Sequence, residues 1–229
     1  MYWIYYNFRT DELSPIPGVF DLLVERVLSI PNGSEPIFNC QMGRGRTTQG
    51  LVITYLMKMI VGKRNIREDP DAYLPDEFES DDQFVLHSPN TAADGVDASL
   101  EKGYKSGQYN LVLQLIAVLQ YGKLAKYLTD LAIDSCEHMQ NLRVAIYDYR
   151  IRLAALPLDS EKYQMTFVIG CNYLVRYFYL ITFADYLIEV WSGWSLVDPA
   201  LKSNPPIKFS DWLADRREIQ NIIKVPNLD

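Results

Sequence analysis

Residues 38–48 read FNCQMGRGRTT, and this stretch decides how the rest of the chain is interpreted. Cys40 is followed by Arg46 after five residues, two of which are glycines, and two threonines come directly after the arginine. A short apolar segment precedes the cysteine and an apolar run of helical period follows the threonines, so the predicted order is strand, loop and helix. A helix that begins at the end of a glycine-bearing loop presents free backbone N–H groups and the positive end of its dipole, and both favour an anion.

The residue types of this loop suit the binding and transfer of a phosphoryl group. The predicted phosphate cradle consists of Gln41, Met42, Gly43, Arg44, Gly45 and Arg46. Glycine permits the backbone angles that turn N–H groups inward, and Arg46 can bind two phosphate oxygens with its planar guanidinium. The same positive field is expected to lower the pKa of Cys40, so that a nucleophilic thiolate forms at neutral pH. Thr47 can donate its hydroxyl to the sulfur and stabilise it as a leaving group.

The loop also has a simpler interpretation. A lone cysteine before an apolar helix is commonly a small buried residue. A cysteine and an arginine at this spacing also occur together by chance. The two glycines, the two threonines and the place of the loop between strand and helix favour phosphate binding. Cys136 and Cys171 lie in helical stretches without such neighbours and are predicted to be structural.

Composition narrows the class of protein. The 229 residues are 48% hydrophobic and 22% charged, which is ordinary for a folded domain, and the net charge of −7 argues against a nucleic-acid partner. Three cysteines and no recognisable signal peptide predict a cytoplasmic location. Two histidines far apart argue against a histidine-rich metal site. The apolar stretch 173–191 contains Arg176, Asp185 and Glu189, which favours a buried helix over a transmembrane segment.

The chain divides into three predicted parts. Residues 1–62 form a catalytic core, residues 63–107 an acidic and partly mobile insertion, and residues 108–229 the helical part of the same domain. A strand is predicted at residues 2–8 and another at residues 37–39. Helices are predicted from Pro17 to near residue 31, and over residues 47–60, 109–119, 123–156 (bent or broken), 162–191 and 210–224, the last starting at Ser210.

The loop resembles the signature of cysteine-dependent phosphatases of the protein-tyrosine-phosphatase class. More closely, NCQMGRGRTT (39–48) resembles the loops of paladin-like proteins, which are tandem-domain relatives of the tyrosine-phosphatase-like inositol polyphosphatases, or cysteine phytases. TDELSP (10–15) is similar to the general-acid segment of that family, and residues 134–150 and 173–187 are similar to its downstream helices. The resemblance implies an α/β, tyrosine-phosphatase-like fold that is mostly helical here and N-terminally truncated, with an incomplete sheet.

The resemblance also supplies a general acid for the leaving group. Asp11 lies 29 residues before Cys40 (40 − 11), far enough for the chain to return and place the acid over the loop. Glu12 is the second candidate, and Asp11 can alternatively serve only as a turn residue ahead of a proline. Many family members carry histidine just before the cysteine. Here the residue is Asn39, which forms hydrogen bonds but contributes no positive charge.

The resemblance implies hydrolysis of a phosphomonoester through a phosphocysteine intermediate. Arg44 inside the loop, with the cluster Lys63, Arg64 and Arg67, favours an inositol phosphate or phosphoinositide over phosphotyrosine, although the cluster is better explained as a solvated helix end. Expected partners are a phosphorylated small molecule, lipid head group or phosphoprotein, and sister phosphatase domains of the parent chain. The alternatives are an inactive phosphate-binding or scaffold domain and a purely structural helical module.

Overall fold

The computed structural model describes residues 17–30, 34, 36–40, 45–75, 94–138, 140–194 and 206–229. All regular secondary structure in these ranges is helical. The strand predicted at residues 2–8 lies outside them. The strand predicted at residues 37–39 is wrong, because residues 36–40 are described without regular secondary structure. A strand needs a neighbouring strand for its backbone hydrogen bonds, and the described ranges offer none. The sheet of the α/β fold therefore stays a prediction.

The helices cover most of the described ranges. In chain order they are α1 (Pro17–Leu28), α2 (Gly45–Ile60), α3 (Asn65–Glu68), a 3₁₀ turn (Asp71–Tyr73), α4 (Asp94–Lys105), α5 (Asn110–Val118), α6 (Gly122–Ser135), α7 (Leu142–Ala154), α8 (Glu161–Tyr186) with a π-helical turn (Leu187–Trp191), α9 (Phe209–Ala214) and α10 (Arg217–Ile222). The predicted helix at residues 123–156 is broken into α6 and α7. The predicted insertion contains α3, the 3₁₀ turn and α4.

Helix α8 is the centre of the core. It packs against α5, α6 and α7, and it also contacts α2. Leu174, Phe178, Ile181 and Phe183 on this helix are completely buried. The segment Glu161–Trp191 is long and apolar enough to cross a membrane, but 61% of its most apolar window is buried inside the protein. Such burial is typical of the core helix of a folded domain.

The start of α9 is held by a residue from the other end of the chain. Sequence favours Ser210 as the cap, but α9 begins at Phe209 and its own flanking residue provides no side-chain cap. The carboxylate of Asp21 on α1 instead accepts hydrogen bonds from the backbone N–H groups of Phe209, at 2.7 Å, and Ser210, at 3.3 Å. The ring of Phe20, next to Asp21, packs against Phe209 with centroids 5.1 Å apart. Helix α1 is thereby fixed to the C-terminal helices.

A buried polar network joins α6, α7 and α8. Asp130 on α6 accepts hydrogen bonds from Lys126 over 2.7 Å and from the hydroxyl of Tyr177 over 2.6 Å. Arg143 on α7 lies 3.4 Å from the same carboxylate and also pairs with Asp134. Because a buried charge is costly without partners, these contacts hold the three helices in one arrangement. They also fix the ends of the connection between α6 and α7, which becomes important for the site.

Because Asp185 on α8 is buried, the stability of the folded protein is expected to depend on pH. The residue is 1% exposed, and desolvation is the main reason that the pKa of its carboxyl group is raised from 3.8 to about 7. The hydrogen bond from the backbone N–H of Tyr121 and the positive charge of Arg216 oppose this shift, and the negative charge of Glu189 adds to it. Between about pH 4 and 7 the folded protein thus binds a proton that the unfolded chain has lost, and stability falls as pH rises through that window. We expect Asp185→Asn, which keeps an oxygen for Tyr121, to be more stable than the parent by about 1–4 kcal/mol at pH 8.

Urea unfolding of both proteins at pH 8 and near pH 4 measures this effect. The difference between parent and variant falls below about 1 kcal/mol at the lower pH, where the carboxyl group is protonated in the folded parent and partly protonated in the unfolded parent. Exposed Asp159→Asn serves as the control and changes stability little at either pH. An advantage of Asp185→Asn that is the same at both pH values would contradict the assignment.

Candidate active site

Cys40 and Thr47 are in direct contact at the start of α2. The hydroxyl of Thr47, which is 4% exposed, donates a hydrogen bond to Sγ of Cys40 over 3.0 Å. This is the contact that the loop sequence suggests, and its role in a second chemical step stays a prediction. The bond holds the sulfur beside the first turn of α2, where free backbone N–H groups and the helix dipole favour a negative charge.

The segment that carries Cys40 is held in place by α2. Gly50 lies on this helix, and a Cβ at that position would come within 2.5 Å of the ring of Phe38. The ring therefore packs directly on the helix backbone, two residues before the cysteine. A side chain at residue 50 would push Phe38, and with it Cys40, away from Thr47. Glycine at this position has a packing reason that the sequence pattern alone does not reveal.

The predicted site residues fall into two groups. Cys40 and Thr47 are in contact, while Gly45 and Arg46 form the first two residues of α2 and Arg46 is half-buried. Asn39 is exposed. The remaining predicted residues, Gln41, Met42, Gly43 and Arg44 of the cradle and the acid candidates Asp11 and Glu12, lie outside the described residues.

Sequence reasoning missed Gln140, which contacts the start of α2. Its Oε1 accepts a hydrogen bond from the backbone N–H of Gly45 over 3.3 Å, and its Nε2 donates to the hydroxyl of Tyr173 over 3.4 Å. The adjacent Asn141 caps α7 by accepting hydrogen bonds from two backbone N–H groups, which fixes the connection that carries Gln140. Arg176 is also close, since its Nη1 lies 3.1 Å from the point that a Cβ on Gly45 would occupy.

A small cavity lies beside Gly45. It is lined by Gly45, Thr48, Gln49, Val52, Gln140, Leu142, Tyr173, Arg176 and Leu180. Its volume of about 20 Å³ is enough for one water molecule. Oγ1 of Thr48 and Nε2 of Gln49 are buried and have no hydrogen-bond partner among the described residues. The cavity thus places polar groups on the flank of α2, next to the predicted cradle.

Comparison with known proteins finds similarity to phosphatase-related families. Residues 8–58 match the family model of tyrosine-phosphatase-like phytases, described by the words inositol hexakisphosphate. The paladin of Danio rerio is 26% identical over 196 residues, which cover 83% of this chain and 19% of that protein. The paladin of Mus musculus is 23% identical over 237 residues, which cover 96% of this chain and 23% of that protein.

The chain is similar to paladins over most of its length. The family resemblance drawn from the loop is therefore confirmed, and the matched segment includes the whole stretch from Asp11 through Cys40 to Thr47. The chain spans about a fifth of the length of the curated relatives it matches. No solved structure matches the chain.

The basic cluster of residues 63–67 lies far from the candidate site. Lys63, Arg64 and Arg67 are exposed and follow the C-terminal end of α2. Helix α2 has 16 residues and is therefore about 24 Å long, which separates the cluster from Cys40 at the other end. Nη1 of Arg67 donates to the backbone carbonyl of Glu189 over 3.4 Å. This position supports a solvated helix end and not a contact with a ligand at Cys40.

The other two cysteines differ from Cys40 in burial. Cys136 and Cys171 are each 5% exposed, whereas Cys40 is half-buried. Burial raises the pKa of both thiols, that of Cys171 to about 11. Buried thiols with raised pKa values react slowly, in line with a structural role. In the described part of the chain, no three His, Cys, Asp or Glu side chains group as metal ligands would.

Proposed function

We propose that this chain hydrolyses phosphomonoesters through a phosphocysteine formed on Cys40. The observation that carries the proposal is the hydrogen bond from Thr47 to Sγ of Cys40 at the N-terminus of α2, inside the segment that matches the phytase-like family model. A domain that only binds phosphate needs no hydroxyl donor on the sulfur. Transfer chemistry does, because the sulfur becomes a leaving group. The contact therefore favours catalysis over the binding-only alternative.

In the first step, the thiolate of Cys40 attacks phosphorus and the P–O bond to the alcohol breaks. Arg46 binds two of the phosphate oxygens and neutralises their charge. Asp11 gives its proton to the leaving alcohol oxygen. The S–P bond that forms makes Cys40 a phosphocysteine.

In the second step, a water molecule attacks phosphorus while the Asp11 carboxylate takes one of its protons. The S–P bond breaks and its electron pair returns to the sulfur. Thr47 stabilises the departing thiolate of Cys40 by its hydrogen bond, and inorganic phosphate leaves. The enzyme returns to its starting state with no net change in charge.

The proposed substrate is an inositol phosphate, a phosphoinositide or phosphotyrosine, in that order of preference. Arg176 near the start of α2 supports a polyphosphorylated substrate, because it places a second guanidinium beside the predicted cradle. The proposal includes a tyrosine-phosphatase-like fold, a cytoplasmic location and sister domains in the parent chain. The expected absence of a cofactor follows from the mechanism, in which the chain supplies nucleophile, clamp and acid.

Alkylation of the three thiols tests the proposal. Iodoacetamide is expected to modify Cys40 with a midpoint below the ordinary thiol pKa of about 8.5, because the loop and helix stabilise the thiolate. Inorganic phosphate slows this reaction by occupying the loop. Cys136 and Cys171 are internal controls that stay unmodified in the folded protein, and mass spectrometry assigns each modified peptide.

Two matched variants examine the contact itself. Thr47→Val keeps the shape of the side chain and removes the hydroxyl, so the midpoint of Cys40 alkylation rises by about one to two pH units. Thr54→Val is the control, since Thr54 lies on the same helix and its hydroxyl donates to the backbone carbonyl of Gly50 and not to a sulfur. An ordinary midpoint for Cys40 together with no protection by phosphate would overturn the proposal. Protection without a lowered midpoint would favour the binding-only domain.

A further inference from the structure

The carbonyl oxygen of Gln140 occupies a donor that a bound phosphate would use. The backbone N–H of Gly45 belongs to the predicted cradle, and in the structure it donates to Oε1 of Gln140 over 3.3 Å. We infer that Gln140 holds the place of a phosphate oxygen in the ligand-free protein and is displaced when the phosphoryl group binds over Cys40. This inference rests on the proposed function, and it makes Gln140 a residue that opposes ligand binding.

The two hydrogen bonds of Gln140 are weak enough to break. At 3.3 Å to Gly45 and 3.4 Å to the hydroxyl of Tyr173, both are longer than the usual 2.9–3.0 Å for such bonds. The amide oxygen is neutral, whereas a phosphate oxygen is charged, and charge-assisted hydrogen bonds are roughly twice as strong as neutral ones. A phosphoryl group therefore wins the competition for the N–H of Gly45.

The surroundings of Gln140 suit the arrival of an anion. Nη1 of Arg176 lies 3.1 Å from the Cβ position of residue 45, so a guanidinium flanks the contested N–H. Thr48, 6% exposed, lines the same cavity with a buried hydroxyl that has no partner in the described part of the chain. With Gln140 in place, the N–H of Gly45 already has an acceptor, so a phosphate oxygen can use this donor only if the side chain of Gln140 moves.

Titration of inorganic phosphate into the 229-residue chain, followed by calorimetry, tests the inference. We expect Gln140→Ala to bind phosphate roughly two- to tenfold more tightly than the parent, because one neutral hydrogen bond no longer has to be broken. Gln140→Glu binds more weakly than the parent, since its carboxylate stays on the N–H and repels the ligand. Gln164→Ala, at an exposed position of α8, is the matched control and leaves the affinity unchanged.

A second variant and a spectroscopic readout keep the test independent of the stability of Gln140→Ala. Tyr173→Phe keeps the ring that stacks on Tyr149 and removes only the hydroxyl that holds Nε2 of Gln140, so it also tightens phosphate binding, by a smaller factor. In the parent, the side-chain amide signals of Gln140 in NMR spectra move toward those of a solvated amide as phosphate saturates the site.

Each outcome has a separate meaning. Equal or weaker phosphate binding by both Gln140→Ala and Tyr173→Phe, with unmoved Gln140 amide signals, would overturn the inference while the parent still binds. If the parent binds no phosphate and Cys40 has an ordinary alkylation midpoint, the proposed function fails and the inference fails with it.

Discussion

We expect Cys40→Ser to abolish hydrolysis of phosphomonoesters while binding of inorganic phosphate survives. Serine is close to cysteine in size, so the contact with Thr47 and the cradle are kept. Its hydroxyl is far less acidic than a thiol and is a poor nucleophile without an adjacent base, so turnover falls by roughly four orders of magnitude or more. The measurements are turnover of an aryl phosphate and an inositol phosphate, and calorimetric binding of phosphate.

Serine substitutions at the two buried cysteines are the matched controls. Cys136→Ser and Cys171→Ser remove thiols that are each 5% exposed, and the latter also changes a sulfur that contacts the carbonyl of Pro226. These variants are expected to lose stability but to keep the activity per folded molecule. A Cys40→Ser variant that turns over like the parent would show that the chemistry does not pass through this sulfur.

The second large effect concerns Asp11 and depends on the leaving group. Asp11→Asn is expected to slow hydrolysis of an inositol or lipid phosphate by roughly two to four orders of magnitude, the usual range for a lost general acid. The phenolate of an aryl phosphate with an acidic phenol departs without being protonated, so the first step with that substrate slows much less. In the pH–rate profile, the acid limb, which reports ionisation of the Cys40 thiol, is kept. The alkaline limb, which reports loss of the proton from the carboxyl group, flattens.

Glu12→Gln separates the two acid candidates. If this variant shows the leaving-group-dependent loss and Asp11→Asn does not, the acid is Glu12. If neither variant shows it, the general acid lies outside the TDE segment, and the role given to Asp11 in both steps is wrong. Because both residues lie outside the described ranges, kinetics with matched substrates is the direct way to decide.

Features encoded by neighbouring residues could be predicted from the sequence. The apolar spacing after Pro17 predicts α1, which ends at Leu28, and the apolar run after the loop predicts α2, which begins only two residues earlier than expected, at Gly45. The contact between Cys40 and Thr47 belongs to the same group, since seven residues separate the two partners in sequence. The spacing of apolar residues along the chain predicts such local structure directly.

Features that depend on distant residues could not be predicted in this way. The cap of α9 comes from Asp21, which is 188 residues away from Phe209. The side-chain oxygen that accepts a hydrogen bond from the N–H of Gly45 belongs to Gln140, which is 95 residues away. No periodicity encodes such pairs. Arg176, a charged residue within the apolar stretch that forms α8, is a sequence signal that could have pointed toward this side of the site.

The predicted strand at residues 37–39 shows how packing overrides propensity. Isoleucine and phenylalanine favour strands, but in the structure Phe38 packs on Gly50 of α2 and the segment has no regular secondary structure. The helix predicted at residues 123–156, as bent or broken, is divided into α6 and α7 by local contacts. Asn141 caps a new helix, and Asp134 and Arg143 bridge the two helix ends.

Trapping the covalent intermediate tests the central claim most directly. The chain is mixed with an aryl phosphate, denatured within the first turnover, digested and analysed by mass spectrometry. We predict one phosphoryl group on the peptide that contains Cys40, in an amount that matches the burst of phenol, and none in Cys40→Ser. Release of phenol and phosphate at the same rate, with no phosphoryl group on Cys40 at any time or with the group on another residue, would contradict the phosphocysteine mechanism.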